Sequence, residues 1–305
     1  MTDLKRFHGV VVPMVTPFTS GGGLDEPGVR RLLDHLIAGG VAGVLLLGTT
    51  GEDASICPAD RLRLVRAAAE HARGRLTLYT GISANCLSQS VEAAEAYLAA
   101  GVDALVARLP TYFALSPEEQ HAYYRLLLAH IAGPLVLYNI PITTHMSMPL
   151  EVIEALSEDP KVVGIKDSEN NLPRFEALLA HLGGRPAFSI FCGTGAYFAQ
   201  ALAAGADGFV PTGGNLVPAL CQQMYAAALA GDHAAAEACQ RRLQAVGALY
   251  GRDRLLGQTY GRIKAMLGVW GICAAEVLPP LATPAPPEQE TVRGEFARWL
   301  AERGN

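Results

Sequence analysis

The chain has 305 residues, of which half are hydrophobic and only 17% are charged, and its formal net charge is −5. This length suits one large domain or two smaller ones, and the apolar content is sufficient for a large core. No cluster of basic residues with interleaved aromatic residues occurs, so we do not expect nucleic-acid binding. The longest uncharged stretch, residues 208–231, contains two prolines and three side-chain amides, which excludes a membrane span.

The cysteines and histidines show no metal-binding pattern in the sequence. The six cysteines are scattered without a C-x-x-C pair, which is typical of reduced thiols rather than of disulfides or a zinc site. The eight histidines show no H-x-x-x-H spacing. The early apolar run at residues 10–15 is interrupted by Pro13 and is too short for a signal peptide. We therefore predict a soluble, cytoplasmic protein without a metal ion.

Short apolar runs alternate with helical patterns through the first three quarters of the chain. The apolar runs predict eight strands, at residues 10–15, 43–47, 76–80, 104–107, 135–138, 162–166, 189–192 and 208–210. Between them, apolar residues at helical spacing predict helices at residues 27–39, 58–73, 88–100, 116–131, 149–156, 173–182 and 196–204. Eight strands with intervening helices indicate an α/β fold, a (β/α)8 TIM barrel. A doubly wound open sheet is the alternative, but eight repeats at this spacing fill the length of one barrel.

The end of the chain has a different pattern. After about residue 230 the strand signals stop, and three helices are predicted at residues 232–250, 258–270 and 288–301. A proline-rich stretch at residues 279–287 separates the last two helices. We therefore expect a (β/α)8 barrel catalytic domain over residues 1–230 and a C-terminal helical domain over residues 231–305.

The sixth predicted strand ends in a lysine, Lys166. Val162, Val163 and Ile165 are β-branched, so this strand is expected to be buried. The chain has only four lysines against twenty arginines, so a lysine in an apolar strand is expected to have a specific role. Burial favours the neutral amine, which can form a Schiff base with a carbonyl substrate. The alternative is a strand-end lysine whose ammonium group extends to solvent.

Other polar residues are predicted at the same edge of the barrel, where barrel enzymes place their catalytic groups. Thr49 and Thr50 follow the second strand, where hydroxyls and backbone N–H groups could hold a carboxylate or form a plain turn. Tyr112 follows the fourth strand. Tyr138 ends the fifth strand, where it is either a proton-transfer group beside Lys166 or a core aromatic residue.

Two glycine-containing loops follow the last two strands, at residues 193–195 and 212–215. Barrels often bind phosphate there, but neither loop contains Lys or Arg, so a phosphate-binding enzyme is a weaker hypothesis. Arg108, near the end of the fourth strand, faces either the site or the surrounding helices. Strand alternation alone does not decide between these orientations.

Three motifs together resemble the dihydrodipicolinate synthase/N-acetylneuraminate lyase family of pyruvate-dependent class I aldolases. They occur in the order and spacing of that family, as GTTGE at residues 48–52, YNIP at residues 138–141 and GIKD at residues 164–167. The resemblance extends from about residue 9 to residue 298. Each motif is weak alone, but the three in register are highly specific.

The resemblance implies a role for each strand-end residue. Lys166 would form the Schiff base with a 2-keto acid such as pyruvate, and Thr49 and Thr50 would hold its carboxylate. Tyr138 would transfer the proton for C–C bond cleavage or formation. Thr50, Tyr138 and Tyr112 would form a relay to solvent, with Tyr112 supplied by a neighbouring subunit. This implies a dimer within a homotetramer.

The sequence departs from the family pattern where the rest of the substrate binds. An arginine of the synthases is replaced by Thr143, and an acidic pair of several members is replaced by Thr194 and Gly195. Neutral groups for a polyol chain are available from Thr143, Thr144, His145, Thr194 and Thr212. The predicted substrate-binding set is Thr49, Thr50, Thr143, Gly193, Thr194 and Val210.

The lead hypothesis is a Schiff-base lyase or aldolase for a 2-keto-3-deoxy sugar acid or a related 2-keto acid, with an aldehyde as second substrate or product. The alternatives are dihydrodipicolinate synthase activity, or a non-catalytic 2-keto acid sensor. The resemblance implies no metal or organic cofactor, because the protonated imine is itself the electron sink. The sequence does not distinguish cleavage from condensation or dehydration.

Overall fold

The computed structural model describes residues 5–303, and its eight parallel strands close into a barrel. The strands are Gly9–Pro13 (β1), Gly43–Leu46 (β2), Thr77–Gly81 (β3), Ala104–Arg108 (β4), Leu135–Asn139 (β5), Val162–Asp167 (β6), Ser189–Cys192 (β7) and Gly208–Phe209 (β8). Each strand pairs with the next, and β8 pairs with β1. The predicted (β/α)8 barrel is confirmed, with strand ends at most two residues from the predicted ones.

Each helix of the barrel follows a strand, and the structure adds two helices to the predicted set. The helices of the barrel are Glu26–Ala38 (α1), Pro58–Ala72 (α2), Leu87–Ala99 (α3), Pro117–His130 (α4), Pro141–Thr144 (α5), Leu150–Leu156 (α6), Leu172–Leu182 (α7), Phe198–Ala203 (α8) and Pro218–Leu229 (α9). The short α5 and the longer α9 were not predicted. Helix α9 lies in the uncharged stretch of the sequence, where no charged face marks a helical period.

Three further helices follow the barrel: His233–Gly251 (α10), Leu256–Leu267 (α11) and Pro286–Arg303 (α12). Val246, Ile263 and Phe296 of these helices are fully buried in the same core cluster as the helices around the barrel. The C-terminal helices therefore pack against the barrel. The domain boundary predicted at residue 230 falls between α9 and α10 and stays a prediction.

The barrel interior forms a second, separate core. Side chains alternate along each strand between the interior and the surrounding helices. The interior cluster consists of Phe7, Val11, Leu45, Tyr79, Ala104, Val106, Val136, Tyr138, Ile140, Phe191 and Val210. This packing closes the barrel below its carboxyl-end mouth, so a substrate must bind at the mouth.

Two other findings concern the whole described chain. The six cysteines all carry free thiols. Within residues 5–303, no helix has the length and apolar character required to cross a membrane.

Candidate active site

Lys166 lies inside the mouth of the barrel, near the carboxyl end of β6. Strand pairing sets it beside Tyr138 of β5 and Phe191 of β7, and only 6% of the residue is exposed. It borders a cavity of about 10 Å³ whose other lining residues are Val11, Leu45, Tyr79, Val106, Val136, Phe191 and Val210. The side chain is therefore buried over the apolar interior, rather than extended to solvent as the alternative required.

The amine of Lys166 faces the ring of Tyr138, with Nζ 4.0 Å from the ring centroid. The Tyr138 hydroxyl lies 3.4 Å from the hydroxyl of Thr49. Burial raises the pKa of the Tyr138 phenol, but the charge of Lys166 and the polar groups of Lys166, Thr49 and Ser168 around the phenol outweigh burial, so the net pKa is lowered. A phenol with a lowered pKa beside an amine is suited to proton transfer.

Thr49 and Thr50 occupy a single 3₁₀ turn, Thr49–Gly51, that directly follows β2. The turn places the hydroxyl of Thr50 3.4 Å from the hydroxyl of Thr212, not beside Tyr138. Thr49, rather than Thr50 as the resemblance implied, is therefore the threonine next to the Tyr138 phenol. The backbone N–H groups of Thr49 and Thr50 start the turn and have no acceptor in the described part of the chain. Both hydroxyls and both amides remain available to an anion.

Ser168 is a site residue to which sequence reasoning assigned no role. Its hydroxyl is buried, has no hydrogen bond of good geometry to any described residue, and contributes to the lowered pKa of Tyr138. A side chain at Gly193 would lie 2.0 Å from Ser168 Oγ and 3.1 Å from Lys166 Cε, so only glycine fits there. The signal for Ser168 was its position two residues after Lys166, which places both on the same face of a strand.

The opposite face of β6 carries a buried polar network. Asp167 is 1% exposed and is paired with Arg174, whose NH1 lies 3.1 Å from Asp167 Oδ2. The amide of Asn139 donates to Asp167 and to Glu169. Burial raises the pKa of Asp167, although Arg174 opposes this shift. The network joins the end of β5 to the end of β6, and so fixes Tyr138 relative to Lys166.

Arg108 lies beside Tyr138 at the end of β4, on the same face of the strand as the interior residues Ala104 and Val106. Its guanidinium group forms an ion pair with Asp53 at 2.8 Å, and both side chains are largely buried. The arginine therefore faces the mouth of the barrel, but its charge is paired with a carboxylate of the same chain.

A second cavity, of about 320 Å³, adjoins Lys166 on the side of β7 and β8. Gly193 and Val210 line it, and Val210 also lines the small cavity beneath Lys166. Its polar side chains are those of Thr212, Gln244, Tyr250 and Thr259, and none of its lining residues is charged. We refer to it as the distal cavity.

The predicted polyol-binding residues do not all reach the distal cavity. Its lining includes Gly193, Val210 and Thr212 but not Thr143 or Thr194. The Thr143 hydroxyl donates to the carbonyl of Ile140 at 3.4 Å. The Thr144 hydroxyl is buried, and its single hydrogen has two possible acceptors, the carbonyls of Ile140 at 3.1 Å and Met146 at 3.0 Å. Sequence reasoning missed Gln244 and Tyr250 because they come from α10, whose placement over the mouth depends on tertiary packing.

The sequence matches the Dihydrodipicolinate synthetase family over residues 6–297. The chain belongs to this family. A dihydrodipicolinate synthase structure from Bacteroides thetaiotaomicron superposes with a TM-score of 0.91 at 31% identity, covering 96% of this chain and 99% of that one. YagE from E. coli K12, solved in complex with pyruvate, superposes with a TM-score of 0.89 at 26% identity, covering 96% and 99%.

A curated relative in the family is the probable 2-dehydro-3-deoxy-D-pentonate aldolase YjhH of Escherichia coli K12. It is 30% identical over 249 residues, which is 81% of this chain and 83% of that protein. The family thus contains proteins named as a synthase and as a sugar-acid aldolase. Family membership confirms the resemblance inferred from the three motifs, including its class I aldolase and lyase chemistry.

Tyr112, the remaining predicted site residue, lies apart from the cluster around Lys166. It is 79% exposed, and its ring contacts that of Phe113, which is 71% exposed. No hydrogen bond or ring contact joins Tyr112 to Tyr138 within the described chain. Within residues 5–303, no group of three His, Cys, Asp or Glu side chains is arranged to hold a metal ion.

Proposed function

We propose that this family member is a Schiff-base aldolase that cleaves or forms a 2-keto-3-deoxy sugar acid through Lys166. The observation that carries the proposal is the buried amine of Lys166 facing a phenol of lowered pKa at the mouth of the barrel. The turn with Thr49 and Thr50 and the uncharged distal cavity both adjoin this pair, and Thr212 of the cavity lies 3.4 Å from the Thr50 hydroxyl. The substrate therefore has an acidic end and a neutral end.

The first step is formation of the imine. The hydroxyls and free amides of Thr49 and Thr50 bind the substrate carboxylate, which places the adjacent 2-keto carbon at Lys166. The Lys166 amine attacks this carbon and one water molecule leaves, so that a protonated imine links enzyme and substrate. Tyr138 accepts and returns the protons that move during imine formation.

Cleavage follows because the imine accepts electrons. Tyr138 removes the proton of the C4 hydroxyl, the C3–C4 bond breaks, and its electron pair becomes the double bond of an enamine. The C4 fragment leaves the distal cavity as an aldehyde. Protonation of the enamine at C3 and hydrolysis of the imine then release pyruvate and regenerate Lys166. Condensation is the same sequence in reverse.

The lining of the distal cavity supports a substrate whose far end carries hydroxyl groups rather than a second carboxylate. Thr212, Gln244 and Tyr250 can donate to and accept from hydroxyl groups, but they carry no charge to hold a carboxylate. Thr143 replaces the arginine of the synthases, and Arg108 is already paired with Asp53. A dicarboxylic intermediate would therefore lack a free cation.

A panel of 2-keto-3-deoxy acids tests this proposal, with pyruvate release as the readout. We expect the highest kcat/KM for five- and six-carbon acids with free hydroxyls on C4 and beyond. Release of pyruvate from none of them, under conditions where the imine forms, would contradict the aldolase assignment and favour the non-catalytic sensor.

A second candidate function is that of a 4-hydroxy-tetrahydrodipicolinate synthase. It is favoured by a specific observation, since relatives carrying that name are 30–36% identical to this chain. This reaction would use the same imine of pyruvate on Lys166 but would require aspartate semialdehyde as the co-substrate. A comparison of aspartate semialdehyde with glyceraldehyde as the co-substrate separates the two functions.

We also propose that the active assembly is a cytoplasmic homotetramer in which Tyr112 completes the site of the neighbouring protomer. The exposed aromatic pair of Tyr112 and Phe113 supports an interface at this position, because large exposed aromatic residues mark association sites. Sedimentation velocity tests the assembly, and a monomer that retains full activity would contradict it.

A further inference from the structure

The turn after β2 is joined to the C-terminal helices by a buried ion pair between Glu52 and Lys264. The two residues are 212 positions apart in the sequence, and both side chains are fully buried. Lys264 Nζ donates to Glu52 Oε1 and to the carbonyl of Glu276, and it lies 4.3 Å from the centroid of the Phe18 ring. The second carboxylate oxygen of Glu52 accepts the backbone N–H of Leu278 at 3.0 Å.

Glu52 is also the residue that ends the turn. Its backbone has a φ of 59°, in the left-handed region that non-glycine residues rarely adopt. Its N–H donates to the carbonyl of Thr49, which closes the turn. The next residue, Asp53, forms the ion pair with Arg108. Two successive acidic side chains therefore fix the turn, Glu52 to α11 and Asp53 to β4.

We propose that the Glu52–Lys264 ion pair is a positioning element, which holds Thr49 and Thr50 in the conformation that binds the substrate carboxylate. The inference rests on the proposed function of this turn. Neither Glu52 nor Lys264 touches the substrate. They act through the backbone of the turn, and the C-terminal helices thereby contribute to substrate binding in the barrel.

Energetic reasoning favours positioning over stability as the role of this pair. Removing two charges from water offsets most of their attraction, so a buried ion pair is weak evidence for stability. The pair requires a defined geometry, however, because both carboxylate oxygens of Glu52 and the Lys264 amine must form hydrogen bonds. Small displacements of binding groups reduce the binding of an anion strongly.

The test is a double variant, Glu52→Gln/Lys264→Met, which removes both charges together and leaves no unpaired buried charge. The measurement is the pyruvate concentration that gives half-maximal borohydride trapping on Lys166, together with KM and kcat. We expect the half-saturating concentration and KM to rise about tenfold, with kcat changed by no more than about threefold, because the lost interaction is uniform binding.

Lys5→Met is the matched control. Lys5 Nζ likewise donates to a carboxylate and to backbone carbonyls, namely Asp207 Oδ2 at 3.0 Å and the carbonyls of Gly183 and Phe188, but it lies at the opposite end of the barrel. This variant should lower the melting temperature without changing pyruvate affinity. Unchanged half-saturation in the double variant would overturn the proposal and leave the pair a structural one.

A second double variant, Glu52→Met/Lys264→Met, replaces the pair by apolar side chains of similar volume and provides the same comparison if the first double variant does not fold. Failure of the wild-type protein to form any adduct would instead contradict the proposed function, and this inference with it. Adduct formation in the wild type with equal half-saturation in every variant would contradict the inference alone.

Discussion

The two buried lysines of this chain, Lys166 and Lys264, have opposite surroundings. Lys264 donates to a carboxylate and a carbonyl and lies over an aromatic ring. Burial lowers its pKa, although Glu52 opposes this shift. Lys166 lies over the apolar interior and faces Tyr138, with no carboxylate at ion-pair distance in the described chain.

This difference shows how one fold keeps a structural and a reactive amine. Glu52 favours the protonated form of Lys264, and a protonated amine has no lone pair with which to attack a carbonyl group. The Nζ of Lys166 has an ionisable phenol beside it, which can take its proton and leave a free nucleophile. Both lysines are buried, so burial alone does not make Lys166 reactive. The difference is that Lys264 has a permanent anionic partner, Glu52, whereas Lys166 has none in the described chain.

The largest expected effect tests that difference directly. Lys166→Met should lower turnover of the best sugar acid by at least about 10⁴-fold, because no imine can form. The double variant Glu52→Gln/Lys264→Met, which leaves no unpaired buried charge, should retain turnover and trapping at saturating substrate. Steady-state assays of both variants check this, and comparable losses of kcat would mean that the two lysines are not functionally distinct.

A smaller loss is expected from the neighbour of Lys166. Tyr138→Phe should retain imine formation but slow turnover by about 10² to 10⁴-fold, because the proton-transfer group is lost. Tyr225→Phe is the control, since its hydroxyl donates to the carbonyl of Asp207 at the far end of the barrel. Full turnover in Tyr138→Phe would disprove the assigned role, and single-turnover kinetics would locate the step.

The kcat/KM values for glyceraldehyde and for aspartate semialdehyde are expected to differ by more than about tenfold. A second carboxylate that is bound without a cation loses roughly 2–5 kcal/mol of binding free energy, by analogy with truncating one partner of a buried charge pair. About 1.4 kcal/mol corresponds to a tenfold change in affinity. Glyceraldehyde should therefore give a higher kcat/KM than aspartate semialdehyde at matched pyruvate. A preference for aspartate semialdehyde would mean that Arg108 leaves Asp53 to bind it.

The smallest expected effect is a change in the pKa of Tyr138, which is measured spectroscopically. The charge of Lys166 lowers the pKa of Tyr138 against the effect of burial, so Lys166→Met should raise it. The difference in tyrosinate absorbance between each protein and its Tyr138→Phe counterpart isolates this phenol during a pH titration. An unchanged midpoint would show that the two groups do not interact.

The strands and Lys166 could be predicted because their signals are local. Runs such as Val162–Asp167 are rich in β-branched residues, and a lysine at the end of such a run is conspicuous in a chain with four lysines. Helix α9 lacked such a signal, because Gln222 and Gln223 are its only strongly polar side chains and its boundaries contain no charged residue.

The rest of the site depends on contacts between distant residues. Nothing local distinguishes Thr49 from Thr50, and only the 3₁₀ turn decides which hydroxyl meets Tyr138. The partner of Glu52 lies 212 residues away, on a helix outside the barrel. Gln244 reaches the distal cavity in the same way. Pairings of this kind follow from tertiary packing and not from periodicity or spacing.

The central claim is that Lys166 is the nucleophile, and reductive trapping tests it most directly. The protein is incubated with pyruvate and borohydride, digested and mapped by mass spectrometry, with the double variant Glu52→Gln/Lys264→Met analysed in parallel. The account predicts one stable adduct, on the peptide that carries Lys166, in both proteins. Absence of an adduct, or an adduct on Lys5, Lys161 or Lys264 instead, would contradict it.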